Sequence, residues 1–284
     1  MGVDAVCHKI ANKLASVSYG ECDNGLQLTG AASVEGIPLL MKEYPPLPPR
    51  TPQARVLLIG GIHGDEYSSV SIVFKWMQTL DTHHSGLFHW KVIPLLNPDG
   101  LLQKRSQRMN ARGVDLNRNF PTHDWHRLSK DYWENRTRKN PRRYPGSDPL
   151  SEPETRWLHQ LVIAFQPDVI VSVHAPFGLL DFDGKSKPPQ RLGDLNLHQL
   201  GVYPGSMGNY AGIERDIPVV TIELRHAGIM PSPSEISRIW VDLVQWLSEN
   251  TPVAKPPPPP PPLLEAEPAS QTPTEMLPEE SSSS

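Results

Sequence analysis

Three side chains from two distant parts of the chain have the residue types and spacing of a metal site. His63 and Glu66 form an H-x-x-E pair, and His174 ends a later apolar run. Two histidines and one glutamate, with a fourth position open to water, are typical of catalytic rather than structural zinc. Taken singly, the residues have plainer explanations, because H-x-x-E pairs occur by chance and His174 could be a satisfied core histidine. Asp65 could orient a ligand or simply cap the following helix.

Other polar side chains could complete such a site. Glu223 ends another apolar run, in the string IELR. A carboxylate beside a metal can move a proton from water to a leaving amine, and a guanidinium can stabilise the developing oxyanion. Arg118 offers a planar fork that matches a carboxylate, and Asn117 adds amide donors. Alternatively, Glu223 could form a structural ion pair with Arg225, and the Asn-Arg pair could be an ordinary turn.

The elements that must position these side chains alternate along the first 250 residues. Apolar runs bounded by Pro and Gly predict strands, and spaced apolar residues predict helices. Strands are predicted at residues 36–44, 54–62, 90–96, 168–173 and 217–224. Helices are predicted at 66–80, from Ser151, and from Ser232 to about residue 248, the last two with capping boxes. Strands covered by helices on both faces predict a three-layer α/β/α domain, whose ligand site lies at the strand ends.

Composition and charge narrow the class of protein. The 284 residues carry a formal net charge of −4, which argues against a nucleic-acid partner. The basic run at residues 136–143 is expected to be a solvated loop, with contact to an acidic ligand as the alternative. No apolar stretch has membrane-spanning length and no signal-peptide pattern is present, so we expect no membrane association and a cytoplasmic location.

Two further features concern the ends of the chain. The two cysteines, Cys7 and Cys22, are too few for a disulfide framework, and we expect reduced thiols. Residues 1–250 are predicted to form the catalytic domain. Residues 251–284 are rich in Pro, Ser and Glu and predict a disordered tail, whose proline run could bind a partner.

Five ordered motifs resemble the zinc metallocarboxypeptidase family: HGDE, NPDG, NARGVDLNRNFP, VHAPFGLLDFDG and YPGSMGNYAG…IPVVTIEL. The resemblance runs from about residue 55 to residue 227, and its strings most resemble the bacterial murein peptide amidase branch. It implies a mixed, mostly parallel central sheet. It also implies one zinc ion held by His63, Glu66 and His174, with Glu223 as general base.

The resemblance implies further roles, residue by residue. Asn117 and Arg118 match the pair that holds the terminal carboxylate of the substrate. Tyr203 matches a mobile tyrosine that covers bound substrate, although it could be mere loop packing. Arg105 matches the arginine that polarises the scissile carbonyl, with Arg108 as the alternative.

The stretch between the tyrosine and the general base bears on the substrate, because it lines the specificity pocket of digestive carboxypeptidases. Asn209 and Tyr210 suit a polar, hydrogen-bonded side chain rather than an aromatic or a basic one. Diaminopimelate, with an amine and a carboxylate at its far end, fits this expectation. The leading hypothesis is hydrolysis of the γ-D-glutamyl–meso-diaminopimelate amide of murein peptides in cell-wall recycling. Ala175 and Pro176 replace a Ser-Tyr pair common in the family, which makes contacts to longer peptides doubtful and fits a short peptide. The expected partner is therefore a short peptide with a free C-terminal carboxylate.

Two alternatives remain open. HG-x-E also occurs in relatives of succinylglutamate desuccinylase and aspartoacylase, which are N-acyl amino acid amidohydrolases, but NPDG and DLNRNFP favour a peptidase. A non-catalytic binding module is the other alternative. Retention of every catalytic position weighs against it.

Overall fold

The computed structural model describes residues 1–251 and, within them, one seven-stranded sheet and a short two-stranded ribbon. Residues 252–284, nearly all of the predicted tail, lie outside the described residues. The strands are β1 (Gln27–Ala32), β2 (Pro38–Tyr44), β3 (Ala54–Ile59), β4 (Phe88–Ile93), β5 (Val169–His174), β6 (Leu179–Asp183), β7 (Arg191–Leu192), β8 (Leu195–Asn196) and β9 (Val219–Glu223). Their order across the large sheet is β1-β2-β4-β3-β5-β9-β6, while β7 and β8 form the ribbon.

The central strands β4, β3, β5 and β9 are parallel to one another. β2 and β6 pair antiparallel with β4 and β9, and β1 pairs antiparallel with β2. The continuous apolar character of β5, which is buried along its whole length, is typical of a strand covered on both faces. The prediction of a mixed, mostly parallel sheet is confirmed.

Helices cover both faces of the sheet. They are α1 (Val3–Lys13), α2 (Tyr19–Asp23), α3 (Tyr67–His83), α4 (Pro98–Leu102), α5 (Trp125–Asp131), α6 (Pro153–Phe165) and α7 (Pro233–Asn250). One hydrophobic cluster joins α1, α3 and α7 to the sheet through side chains such as Ile10, Phe74 and Trp240. A second cluster, which includes Leu158 and Phe165 of α6, packs on the other face. The predicted three-layer α/β/α architecture is confirmed.

The helix ends test the two predicted capping boxes. At α7 only half of the predicted box forms: the Ser232 side chain accepts a hydrogen bond from the Glu235 backbone N–H at 3.2 Å, but the Glu235 carboxylate accepts from Asp194 N–H at 2.8 Å. At α6 the prediction is wrong, because the helix begins at Pro153 with Glu152 as N-cap and no side-chain cap bond. Glu154 is instead fully buried and accepts a hydrogen bond from Val34 N–H at 3.3 Å.

Cys7 and Cys22 form a disulfide between α1 and α2, so the expectation of reduced thiols is wrong. Both residues are fully buried in the hydrophobic cluster that these helices share. Two cysteines are too few for a disulfide framework, but their number does not show whether they form one local disulfide. That depends on how the two short helices pack. Within residues 1–251, every helix is too short or too polar to cross a membrane.

Candidate metal centre

The three predicted ligands meet at the carboxyl ends of β3 and β5. His63 and Glu66 lie between β3 and α3, and His174 is the last residue of β5. The Nδ1 atoms of His63 and His174 are 3.2 Å apart. Glu66 places Oε1 2.8 Å from Nδ1 of His63 and Oε2 3.2 Å from Nδ1 of His174. β4 and β5 flank β3 on opposite sides, so the site lies where the strand order reverses, the usual place for a ligand in an open α/β sheet.

The geometry of this group fits a metal ion such as zinc. Two nitrogen ligands at zinc distances of about 2.0–2.1 Å in a tetrahedral arrangement are about 3.4 Å apart, close to the observed separation. The other ring nitrogens are engaged: Nε2 of His63 is 3.1 Å from Oδ1 of Asp115, and Nε2 of His174 is 3.0 Å from Oγ of Ser172. Protonation at both Nε2 atoms would leave the Nδ1 lone pairs for the metal. Although burial opposes its ionisation, the two histidines lower the pKa of Glu66 and favour the anionic form.

Glycines allow the HGDE and NPDG motifs to touch, and this contact fixes the turn that carries the ligands. A Cβ at Gly64 would lie 2.2 Å from the carbonyl carbon of Gly100. Asn97 closes its own turn by accepting from Gly100 N–H at 2.8 Å and donates to the Ile62 carbonyl at 3.3 Å. These contacts hold the backbone on either side of His63, at Ile62 and Gly64, and so fix where its side chain begins.

Asp115 is a residue of the site that the sequence analysis missed. It is fully buried, and besides contacting His63 it accepts from Nε of Arg108 at 2.9 Å. Burial opposes its ionisation, but Arg108 and His63 hold the pKa of Asp115 well below its usual range. Asp65, for which the sequence left open either orienting a ligand or capping the following helix, instead accepts from Arg142 at 2.7 Å. The sequence signal that could have identified Asp115 is its place at the start of the DLNRN string.

Glu223 and Arg108 share a cavity of about 360 Å³ with the three ligands. Glu223 ends β9 directly beside His174 in the strand register and is 6% exposed, and burial raises its pKa. Nη1 of Arg108 lies 3.6 Å from Oε1 of Glu66. Arg105, the first choice for this position, is exposed and lies outside the cavity. The chain turns back after α4, where Gln107 N–H donates to the Gly100 carbonyl at 2.9 Å, and this turn brings Arg108 inward in its place.

The predicted carboxylate-binding pair lies in the same cavity. Asn117 and Arg118 belong to the 3₁₀ turn Leu116–Arg118, and Arg118 is only 4% exposed. Across residues 1–251, Nη1 of Arg118 donates to the Asn117 carbonyl at 2.5 Å, but its Nε has no hydrogen-bond partner and no carboxylate forms an ion pair with the guanidinium. The guanidinium carbon lies 4.6 Å from the ring centroid of Tyr203, whose hydroxyl donates to the Leu200 carbonyl at 2.9 Å. Burial lowers the pKa of Arg118, as expected for an uncompensated cation.

Tyr210, predicted to lie in the substrate pocket, lies in the hydrophobic core instead. Its ring stacks on Phe120 at 5.4 Å, and its hydroxyl is 2.7 Å from Nδ1 of His159. Residues Gly208–Ile213 form a π-helical turn, whose wider period directs Tyr210 toward α6. Asn209 also lies outside the cavity, which Met207 and Gly208 line from this segment.

Comparison with known proteins agrees with this fold. Residues 28–180 match the family described as zinc carboxypeptidase, peptidase M14, and the chain belongs to that family. Murein peptide amidase A of Escherichia coli K12 is 38% identical over 127 residues, which are 44% of this chain and 50% of that protein, so the match spans half of the relative. Murein peptide amidase A of Vibrio campbellii is 32% identical over 199 residues, 68% of this chain and 76% of the relative.

Solved structures show the same relationship. The murein-tripeptide amidase MpaA of Escherichia coli O157 has a TM-score of 0.55 and 27% identity, and the match covers 78% of this chain and 91% of that one. Carboxypeptidase A of Helicoverpa armigera has a TM-score of 0.60 at 16% identity, with 85% and 70% covered, and shares the fold.

Proposed function

We propose that this protein is a metallopeptidase with one zinc ion per chain that hydrolyses an amide bond next to a C-terminal residue. Its substrate is the γ-D-glutamyl–meso-diaminopimelate bond of murein peptides. The observation that carries the proposal is the convergence of His63, Glu66 and His174 in one cavity with the buried side chains of Glu223 and Arg118. When bound, zinc lowers the pKa of water and polarises a carbonyl as a Lewis acid.

Arg118 and Asn117 would bind the terminal carboxylate of the substrate. A buried guanidinium without an anionic partner is costly, and a carboxylate ligand offsets that cost through a two-point interaction. Oδ1 of Asn117 accepts from Met207 N–H at 2.8 Å, which leaves its amide N–H groups as donors. The ring of Tyr203 lies over the same guanidinium and would cover the bound end of the substrate.

Glu223 and Arg108 would carry the proton and the charge of the reaction. Glu223 is well placed to accept a proton from water in the cavity and to deliver it to the leaving amine. Its raised pKa, caused by burial, suits both tasks. Arg108 is held next to Glu66 by Asp115, so its guanidinium can stabilise an oxyanion without rearranging.

The names of the relatives support the murein substrate, and the cavity supports a substrate with charged ends. The N-acyl amino acid amidohydrolase remains the alternative activity. The cytoplasmic location expected from the sequence stays a prediction. The Cys7–Cys22 disulfide argues against it, because such bonds are rare where thiols are kept reduced.

The test is to incubate zinc-loaded protein with L-Ala-γ-D-Glu-meso-diaminopimelate, N-acetylaspartate and N-succinylglutamate, with and without a chelator, and to detect products by mass spectrometry. We expect chelator-sensitive release of diaminopimelate. Glu223→Gln should lower kcat by about 10²- to 10⁴-fold and leave the bound zinc unchanged, since the residue acts on protons. Cleavage of an N-acyl amino acid without release of diaminopimelate would reject the murein substrate in favour of the alternative.

A further inference from the structure

The cavity extends from the three ligands to two aspartates on β6. Asp181 and Asp183 both line it and are 7% and 9% exposed. In the strand register Asp181 lies beside Thr221, which lies beside Ser172, and these hydroxyls line the same cavity. The alternate residues of β6, Leu180 and Phe182, belong to the hydrophobic cluster on the opposite face of the sheet. β6 thus presents one acidic face to the cavity and one apolar face to the core.

The two carboxylates of this pair differ in their partners. Among residues 1–251, the Asp183 carboxylate has neither a hydrogen-bond donor nor a cationic partner, although more than nine-tenths of the residue is buried. Asp181 accepts a hydrogen bond from Leu200 N–H at 3.0 Å. Burial and the neighbouring Asp181 carboxylate raise the pKa of Asp183 to about 7. A buried, unpartnered carboxylate that faces a cavity is costly unless a ligand supplies a donor or a positive charge.

The backbone around Asp183 is shaped to reach the carboxylate closely. A Cβ at Gly208 would lie 1.9 Å from Oδ2 of Asp183, and one at Gly212 would lie 2.6 Å from its Cβ. Both glycines belong to the segment that begins a few residues after Tyr203. The backbone of this segment covers one side of the carboxylate. Such a close approach is possible because the segment has no side chains at these two positions.

We propose that Asp183, together with Asp181, binds a distal ammonium group on the side chain of the C-terminal residue that the enzyme releases. The inference rests on the proposed function and specifies its selectivity. It replaces the expectation of a neutral polar pocket, which depended on Asn209 and Tyr210. Diaminopimelate and lysine both carry the required ammonium group, whereas norleucine has a chain of similar length without it.

The experiment compares three peptides, L-Ala-γ-D-Glu-X, in which X is meso-diaminopimelate, L-lysine or L-norleucine. For the wild type, we expect kcat/KM to be about 10- to 100-fold higher for the two residues that carry a distal ammonium group than for norleucine, as for a hydrogen bond to a charged group. Asp183→Asn should remove this preference by lowering kcat/KM for the diaminopimelate and lysine peptides to about the value for the norleucine peptide. Asp216→Asn is the matched control, since it removes the same charge from an exposed pair with Lys185 and should keep the preference.

Equal cleavage of the lysine and norleucine peptides by the wild type would overturn the inference and leave the proposed function standing. The inference also fails if Asp183→Asn and Asp181→Asn both keep the preference. If Asp183→Asn does not fold, Asp181→Asn and the wild-type comparison decide. If no peptide is cleaved, the proposed function fails, and titration calorimetry of lysine against norleucine still tests the pocket, because only lysine should bind.

Discussion

At the residue scale, Arg105 and Arg108 are the same residue type three positions apart, yet the fold gives them different surroundings. Arg108 is buried beside Glu66 and Asp115, and these carboxylates raise the pKa of its guanidinium although burial opposes this. Arg105 is exposed to solvent. Nothing in the local composition distinguishes them, because the difference arises from the turn that follows α4.

Substitution of each arginine by glutamine should separate their roles. Arg108→Gln removes the positive charge that, under the proposed function, stabilises the oxyanion, and we expect kcat to fall by about 10²- to 10³-fold. Arg105→Gln changes an exposed side chain and should leave kcat and KM as they are. Steady-state kinetics on the diaminopimelate peptide measures both, and thermal unfolding of each variant shows whether the fold survives. A larger loss from Arg105→Gln than from Arg108→Gln would restore the assignment made from sequence.

At the scale of elements, the turn between β3 and α3 depends on its contact with the NPDG turn. Gly64→Ala would place a methyl group 2.2 Å from the Gly100 carbonyl carbon, so one of the two turns must move. We expect a loss of about 1–3 kcal/mol in the free energy of unfolding, and weaker zinc binding because His63 moves with the turn. Urea denaturation and a competitive zinc titration measure the two effects.

Gly20→Ala is the control for this variant. Gly20 lies in α2, and a Cβ there would have no neighbour within 4 Å. The substitution should be neutral or slightly stabilising, because alanine restricts the unfolded chain. If both variants proved equally stable, the contact between the two motifs would not support the site.

Elements also explain how much could be predicted. Within residues 1–251, five strands of the seven-stranded sheet could be read from the sequence, and β1 and β6 were missed. The positions of His63, His174 and Glu223 could also be read, since each follows or ends an apolar run at one edge of the sheet. The position of Tyr210 could not be read from the sequence. It lies in a π-helical turn, which changes which side chains face inward, and the sequence of such a turn has no distinct period. The alternation in LLDFD was a readable signal for an acidic face on β6. Its meaning depended on knowing that this face borders the cavity.

At the scale of the whole molecule, buried carboxyl groups couple stability to pH. Burial, with a smaller contribution from Asp99, raises the pKa of Glu154 to about 7. Between the ordinary glutamate pKa and this value, the folded state holds a proton that the unfolded state has released. The free energy of unfolding therefore falls as pH rises through this window. Asp183 contributes in the same direction.

Glu154→Gln should remove the part of this dependence that belongs to Glu154. We expect the variant to be more stable than the wild type by about 2–3 kcal/mol at pH 8 and nearly equal to it at pH 4.5. Urea denaturation across this range measures the difference, with Glu134→Gln, a glutamate outside the core, as control. A constant offset between variant and wild type at every pH would contradict the prediction.

β6 lies at one edge of the large sheet, next to β9, which ends in Glu223. The proposed ligands and the proposed general base come from other segments, so substitution of Asp181 and Asp183 alters one wall of the cavity and spares those groups. Descendants of such a protein can exchange one preferred substrate for another in single steps that each preserve turnover. An evolutionary route of this kind avoids inactive intermediates.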